Sequence, residues 1–156
     1  MKINLSINGE KKDYEIDANV NLLDFLRANG YLGAKKGCDD GLCGACTVLV
    51  DGKPHNSCIL YTAAVAGCEI TTIEGIGSAH EPNEIQKAFV ESGAVQCGYC
   101  TPGMILTTYA LLKENPNPTE LEIKRELDGN LCRCTGYVKV IDAVKKASEY
   151  LKGGSE

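Results

Sequence analysis

Apolar and polar residues alternate from the start of the chain: Ile3, Leu5 and Ile7 share one face of an extended strand, and Tyr14 and Ile16 resume the pattern after Asn8-Gly9. Period-two alternation broken by Asn-Gly predicts a β-hairpin with a type I′ turn. Leu22, Leu23 and Leu26 then predict a short helix, with Asn21 placed to cap it and Gly30 to end it. A glycine-rich stretch covers 33–46. Positions 47–50 predict a short apolar strand, Asp51-Gly52 a second hairpin turn, and 70–73 a last strand. A sheet of this kind crossed on one face by a helix suggests a ubiquitin-like, β-grasp arrangement.

Beyond residue 74 the chain changes character. Positions 75–83 are rich in Gly, Ser, Pro and acidic groups and read as a linker. Four helices are predicted after it. The first, over 84–92, carries Ile85, Ala88 and Phe89 at helical spacing. The second has Thr101 as N-cap and Pro102 at its first position, and runs through Met104, Ile105, Tyr109 and Leu112 until Pro116. The third opens with a capping box of Thr119 and Glu122 and ends near Gly129. The fourth starts near Tyr137 and places Val140, Ile141, Val144 and Leu151 on one side. The expected class is α+β, with a β-grasp domain over 1–74 and a four-helix domain over 84–156.

The helical half repeats itself as helix, cysteine loop, helix. The first loop reads Cys97-Gly98-Tyr99-Cys100-Thr101-Pro102-Gly103 and the second Cys132-Arg133-Cys134-Thr135-Gly136-Tyr137. Two helical hairpins packed side by side are expected to bring these loops together at one end, with the helix starts at Thr101 and Thr135 aimed at whatever the cysteines hold.

Charge and composition remove several function classes. With 16 basic and 21 acidic residues the net charge is −5, and no dense basic run exists, which argues against a nucleic-acid partner. The longest apolar stretch, 63–66, is too short to span a bilayer, and the N-terminus carries no signal-peptide pattern or twin arginine. No membrane association and a cytoplasmic location are expected.

Nine cysteines then dominate the picture. In a reducing compartment they point to metal before disulfides. Eight form two groups: Cys38, Cys43, Cys46 and Cys58, then Cys97, Cys100, Cys132 and Cys134. The first has the Cys-x4-Cys-x2-Cys spacing of plant-type 2Fe–2S proteins. Gly37, Gly41, Gly44 and Ala45 leave room for backbone amides to approach the sulfurs. The alternative is zinc. Paired Cys-x2-Cys knuckles would suit it better than the first loop does, while the second group alone fits either metal. His55 and His80 stand away from ligand spacing and read as surface residues, and Cys68 reads as a small buried hydrophobe.

Three segments resemble the iron–sulfur subunits of molybdenum hydroxylases, the xanthine dehydrogenase and aldehyde oxidoreductase family. They are Gly37-Cys38-Asp39-Asp40-Gly41-Leu42-Cys43-Gly44-Ala45-Cys46-Thr47-Val48, Gln96-Cys97-Gly98-Tyr99-Cys100-Thr101-Pro102-Gly103 and Gly129-Asn130-Leu131-Cys132-Arg133-Cys134-Thr135-Gly136-Tyr137. The resemblance covers essentially the whole chain. It implies a plant-type ferredoxin-like domain, then a helical 2Fe–2S domain whose cluster lies nearest the molybdopterin, with the plant-type cluster between that one and FAD. It further implies that Gln96 and Cys100 lie close to the pterin, and that the partners are a molybdopterin-binding large subunit and an FAD-binding medium subunit. Relatives oxidise purines, pyridines or aldehydes, and some act on carbon monoxide or aromatic thioesters. No Gly-x-Gly-x-x-Gly fingerprint and no nucleophile–base constellation occurs here, so substrate chemistry is expected on partner subunits. The competing readings are a free-standing two-cluster ferredoxin-like carrier, which the acidic charge suits but which has no need of the helical half, and a zinc-holding interaction module.

Overall fold

Two hairpins and one late strand build a five-stranded sheet in this computed structural model, which describes residues 1–153; positions 154–156, assigned above to the helical domain, lie outside the described residues. Strands β1 (Lys2–Ile7) and β2 (Glu10–Glu15) pair antiparallel. Asn8 and Gly9 between them take φ of 52° and 82°, the left-handed pair that a type I′ turn demands. Strands β3 (Thr47–Val50) and β4 (Lys53–Asn56) repeat the device, with Asp51 at 49° and Gly52 at 81°. Strand β5 (Glu69–Thr71) is shorter than the sequence suggests, because Ile73 enters a 3₁₀ turn over Ile73–Gly75. The order is β2-β1-β5-β3-β4, with β1 and β5 parallel at the centre, which is the β-grasp order.

Helix α1 (Leu22–Ala28) crosses this sheet. The Asn21 side chain accepts from the Asp24 amide at 2.7 Å, so the expected cap is present, and Gly30 at φ 89° turns the chain away. Leu22, Leu23 and Leu26 are buried with Leu5, Ile7, Val48 and Ile70 in the first core, and Phe25 meets Tyr14 edge-on at 5.0 Å.

The second core belongs to helices α2 (Glu84–Glu91), α3 (Thr101–Glu114), α4 (Glu120–Leu127) and α5 (Val138–Gly153), which bury Phe89, Met104, Ile123, Val140 and Val144. The Thr119–Glu122 capping box forms, and a second box, Asn83 with Gln86, opens α2 without having been expected. Two expected caps do not form. Thr101 is the first helical residue of α3, and Cys100 is the cap, its carbonyl taking the Met104 amide at 3.1 Å. Thr135 does not start α5, because Gly136 (61°) and Tyr137 (69°) are both left-handed and break any helix there.

The two halves meet where α3 packs on β3. Val48 belongs to the first core, while Thr47 faces the helical half, so β3 is buried on both sides. That is why 47–50 lacks polar–apolar alternation. The backbones touch: a Cβ on Gly44 would lie 2.2 Å from the Gly129 carbonyl oxygen, and one on Gly103 would lie 2.4 Å from the Gly44 carbonyl oxygen. The connection is pinned too, with Glu74 accepting from the Gly33 amide at 2.7 Å and Asn83 donating to the Ile76 carbonyl at 2.9 Å. Among the described residues no helix is long and apolar enough to cross a membrane.

Candidate metal centres

The loop between α1 and β3 carries Cys38, Cys43 and Cys46, and a 3₁₀ turn after β4, Ser57–Ile59, adds Cys58. Asp39, Gly41 and Gly44 take φ of 65°, 79° and 70°, which coils the loop while Asp39, Asp40 and Leu42 stay exposed. Side chains lock it from outside: Asn56 donates to the Gly41 carbonyl at 2.7 Å, and the Ser57 hydroxyl donates to the Cys46 carbonyl at 2.7 Å. The thiols meet in pairs. The Cys43 amide donates to Cys38 Sγ at 3.4 Å and the two thiols are neighbours, as are Cys46 and Cys58.

The three loop glycines serve different neighbours. A Cβ on Gly37 would sit 2.5 Å from Cys43 Sγ, so this glycine clears space beside a sulfur, as expected. Gly41 instead lies under Ile59, and the room at Gly44 is taken by the Gly129 carbonyl of the helical half. Two of the three therefore serve packing.

The second set assembles from the two expected loops. Cys97 and Cys100 lie between α2 and α3, Cys132 and Cys134 between α4 and α5, and contacts link Cys100 to Cys132 and Cys97 to Cys134. Cys132 Sγ accepts from the Thr135 hydroxyl at 3.1 Å, the Thr135 amide at 3.3 Å and the Cys134 amide at 3.4 Å. The hydroxyl of Thr135 thus serves a sulfur where a helix cap was expected. The Cys132 amide donates to the Tyr137 hydroxyl at 2.8 Å, which holds the loop's other side.

The electrostatics of each set follow from these contacts. Burial pushes Cys100 up to about 12, and the Cys132 thiol beside it adds to the rise. Burial would also raise Cys132, but the Thr135 hydroxyl and amide and the Cys134 amide outweigh it and bring it down to about 7. Burial and the neighbouring Cys46 push Cys58 up to about 12, and burial raises Cys43. At Cys38 the Asp40 carboxylate acts upward, but backbone amides of Asp40 and Cys43 prevail and lower it. Cys38 and Cys132 thus yield their protons more readily than the Cys43 and Cys100 thiols beside them, because two bare thiolates at that distance repel. A cation between them removes the conflict and releases the remaining proton.

Such donor sets fit a two-iron core. Each set consists of two contacting thiol pairs, and a 2Fe–2S core asks for two thiolates at each of two irons. Amide and hydroxyl donors at the sulfurs suit its negative charge. His55 and His80 are exposed and join neither set. Cys68 is half-buried beside Asp51 and stands apart, less buried than the core position expected for it.

The two sets are joined directly. The Leu131 amide, one residue before Cys132, donates to the Cys43 carbonyl at 2.8 Å, and the Tyr99 hydroxyl, between Cys97 and Cys100, donates to the Lys36 carbonyl at 2.5 Å. Sequence reading missed these links, together with Asn130, whose buried side chain bonds Gly44, Thr47 and Thr107. An asparagine between glycine and an apolar residue carries no local pattern that marks it as buried.

Comparison with known proteins agrees with this geometry. Residues 5–72 match the 2Fe–2S iron–sulfur cluster binding domain family, and residues 72–145 match a second 2Fe–2S binding domain family. The chain is 49% identical over 148 residues to the nicotinate dehydrogenase small FeS subunit of Eubacterium barkeri, covering 94% of each. It is 46% identical over 144 residues to the xanthine dehydrogenase iron-sulfur-binding subunit of Escherichia coli O157:H7, covering 91% of each. Among solved structures, quinoline 2-oxidoreductase from Pseudomonas putida 86 superposes with a TM-score of 0.93 at 40% identity, over 100% of this chain and 98% of that one. Aldehyde oxidoreductase from Desulfovibrio gigas gives 0.95 at 38% identity, over 99% of this chain but 18% of that longer one. The chain belongs to the family of iron–sulfur subunits of molybdenum hydroxylases. It is the electron-transfer component of an oxidoreductase complex, with two 2Fe–2S binding domains.

Proposed function

We propose that Cys38, Cys43, Cys46 and Cys58 hold one 2Fe–2S centre and Cys97, Cys100, Cys132 and Cys134 the other, with 1–74 and 84–156 as their two domains and 75–83 as the join. When bound, each centre takes up and returns one electron at a time. The observation that carries this reading is the meeting of eight cysteines as two contacting pairs in each half, with the Leu131 amide on the Cys43 carbonyl at 2.8 Å between the halves. A hydrogen bond from the residue beside Cys132 to the carbonyl of Cys43 brings the two sets close, as a relay requires.

Electrons enter at the helical end and leave at the β-grasp end. The helical end faces a molybdopterin-binding large subunit. Gln96 there is exposed and, among the described residues, its side chain takes no hydrogen-bond partner, so its amide is free to meet the pterin, and the neighbouring Cys100 shares that approach. At the other end Leu42 (68% exposed) and Ile59 (57%) flank the first cysteine set and suit docking of an FAD-binding medium subunit. The substrate is chosen on the large subunit. The complex works in the cytoplasm, where its thiols stay reduced.

The protein's own groups tune the second centre. The Thr135 hydroxyl on Cys132 Sγ favours the added negative charge of the reduced state. Thr135→Val is expected to lower that centre's potential by about 40 mV, the equivalent of about 1 kcal/mol for a one-electron couple, with the first centre unchanged in a redox titration. Equal potentials in variant and wild type would dismiss the hydroxyl's part.

Low-temperature EPR of the dithionite-reduced protein, with iron and sulfide counted on the same sample, tests the whole reading. Two distinct 2Fe–2S signals and about four iron per chain are expected. An EPR-silent, zinc-containing protein would overturn it.

A further inference from the structure

Asn130 is 3% exposed and lies at the seam of the two halves, touching none of the eight thiols. Its Nδ2 donates to the Gly44 carbonyl and to Thr47 Oγ1, both at 3.1 Å, and its Oδ1 accepts from the Thr107 hydroxyl at 2.8 Å. Only one orientation of the amide works. Thr47 already gives its own proton to the Gly44 carbonyl at 2.7 Å, so a flipped amide would set oxygen against that carbonyl and leave Thr107 facing a donor. The side chain is thus fully bonded where an unpaired polar group would be costly.

Its place in the chain gives the contact meaning. Asn130 stands two residues before Cys132, and Gly44 lies between Cys43 and Cys46. The Asn130 side chain grips the Gly44 carbonyl while the next amide, Leu131, grips the Cys43 carbonyl at 2.8 Å. Adjacent carbonyls of the first cysteine loop are therefore clamped at two points by adjacent residues of the second. Thr107 ties the same amide to α3, the helix that begins at Thr101 beside Cys100.

We propose that Asn130 is a positioning residue that fixes the two cysteine loops against each other and so sets the electronic contact between the two centres. The proposal rests on the two-centre relay described above. Without the side chain, Thr47 and Thr107 lose a buried partner and, of the two adjacent clamps on the first cysteine loop, only the Leu131 amide remains, so the loops shift or rock against each other while each donor set stays whole.

The test is the magnetic interaction between the two reduced centres, which falls with the inverse cube of their separation and with loss of the bonded path. In the fully reduced complex as purified, the wild-type EPR signals are expected to be split by one another at low temperature. Asn130→Ala is expected to keep both signals and the wild-type iron content but to show a clearly reduced splitting, with slower electron exchange between centres after rapid mixing with substrate. Full splitting in an iron-replete Asn130→Ala protein overturns the proposal and leaves the relay intact. A wild type without two interacting 2Fe–2S signals removes the relay reading itself. Should Asn130→Ala fail to retain iron, Thr107 decides: Thr107→Val, which frees the Asn130 amide, is expected to weaken the splitting, and Thr107→Ser, which keeps the hydroxyl, to restore it. Equal splitting in those two variants overturns the assignment.

Discussion

Gly44→Ala is expected to lower the apparent melting temperature of the iron-loaded chain by roughly 10 °C, from about 2–5 kcal/mol of strain. Two costs combine. Gly44 has φ of 70°, a left-handed conformation that an L side chain resists. The added methyl would also stand 2.2 Å from the Gly129 carbonyl oxygen and 3.0 Å from the Asn130 Cα, which are backbone atoms unable to swing aside. Gly52→Ala separates the two costs, since Gly52 has φ of 81° but nothing within 4 Å of a new Cβ. A shift of only a few degrees is expected there, from conformational strain of about 1–2 kcal/mol. Calorimetry of both variants with iron analysis checks the comparison. Matching shifts would mean that the halves do not approach as closely at Gly44 as described.

The same glycine marks how far the sequence could be read. Local features were legible because local physics decides them: Asn8-Gly9 and Asp51-Gly52 form the expected turns, Asn21 caps α1, and Thr119 with Glu122 forms its box. The grouping of the cysteines proposed above rests on spacing in the first loop and on the repeat in the helical half. In sequence Gly44 reads as space for the first centre, whereas in the structure it serves the seam between the halves. Thr135 looks like an N-cap in sequence, yet the left-handed Gly136 and Tyr137 delay α5 and leave its hydroxyl to Cys132. Asn130 to Gly44 spans 86 positions and Tyr99 to Lys36 spans 63, contacts that no local periodicity encodes. What escaped the sequence is therefore the joining of the two cysteine loops, on which the proposed relay between the centres depends.

Cys43→Ser tests that joining at its ligand end. The variant is expected to leave reduction by substrate intact and to slow reoxidation of the reduced complex at least about tenfold, a barrier of about 1.4 kcal/mol. Serine keeps the backbone carbonyl that accepts from Leu131, so the seam is preserved and only the donor set changes. It replaces a thiolate by a hydroxyl that stays protonated at neutral pH and binds iron poorly. The second set shares no side chain with the change, because its Cys132 is held by Thr135, Cys134 and Cys100. Its EPR signal should therefore persist while the first is lost or altered. Cys68→Ser is the matched control: that thiol is half-buried beside Asp51, outside both sets, and its loss should alter neither iron content nor either signal. Stopped-flow reduction and reoxidation, read beside EPR on the same preparations, distinguishes the cases. Unchanged turnover with the first centre demonstrably absent would mean that electrons leave the complex without passing the β-grasp end, and the relay would have to be abandoned.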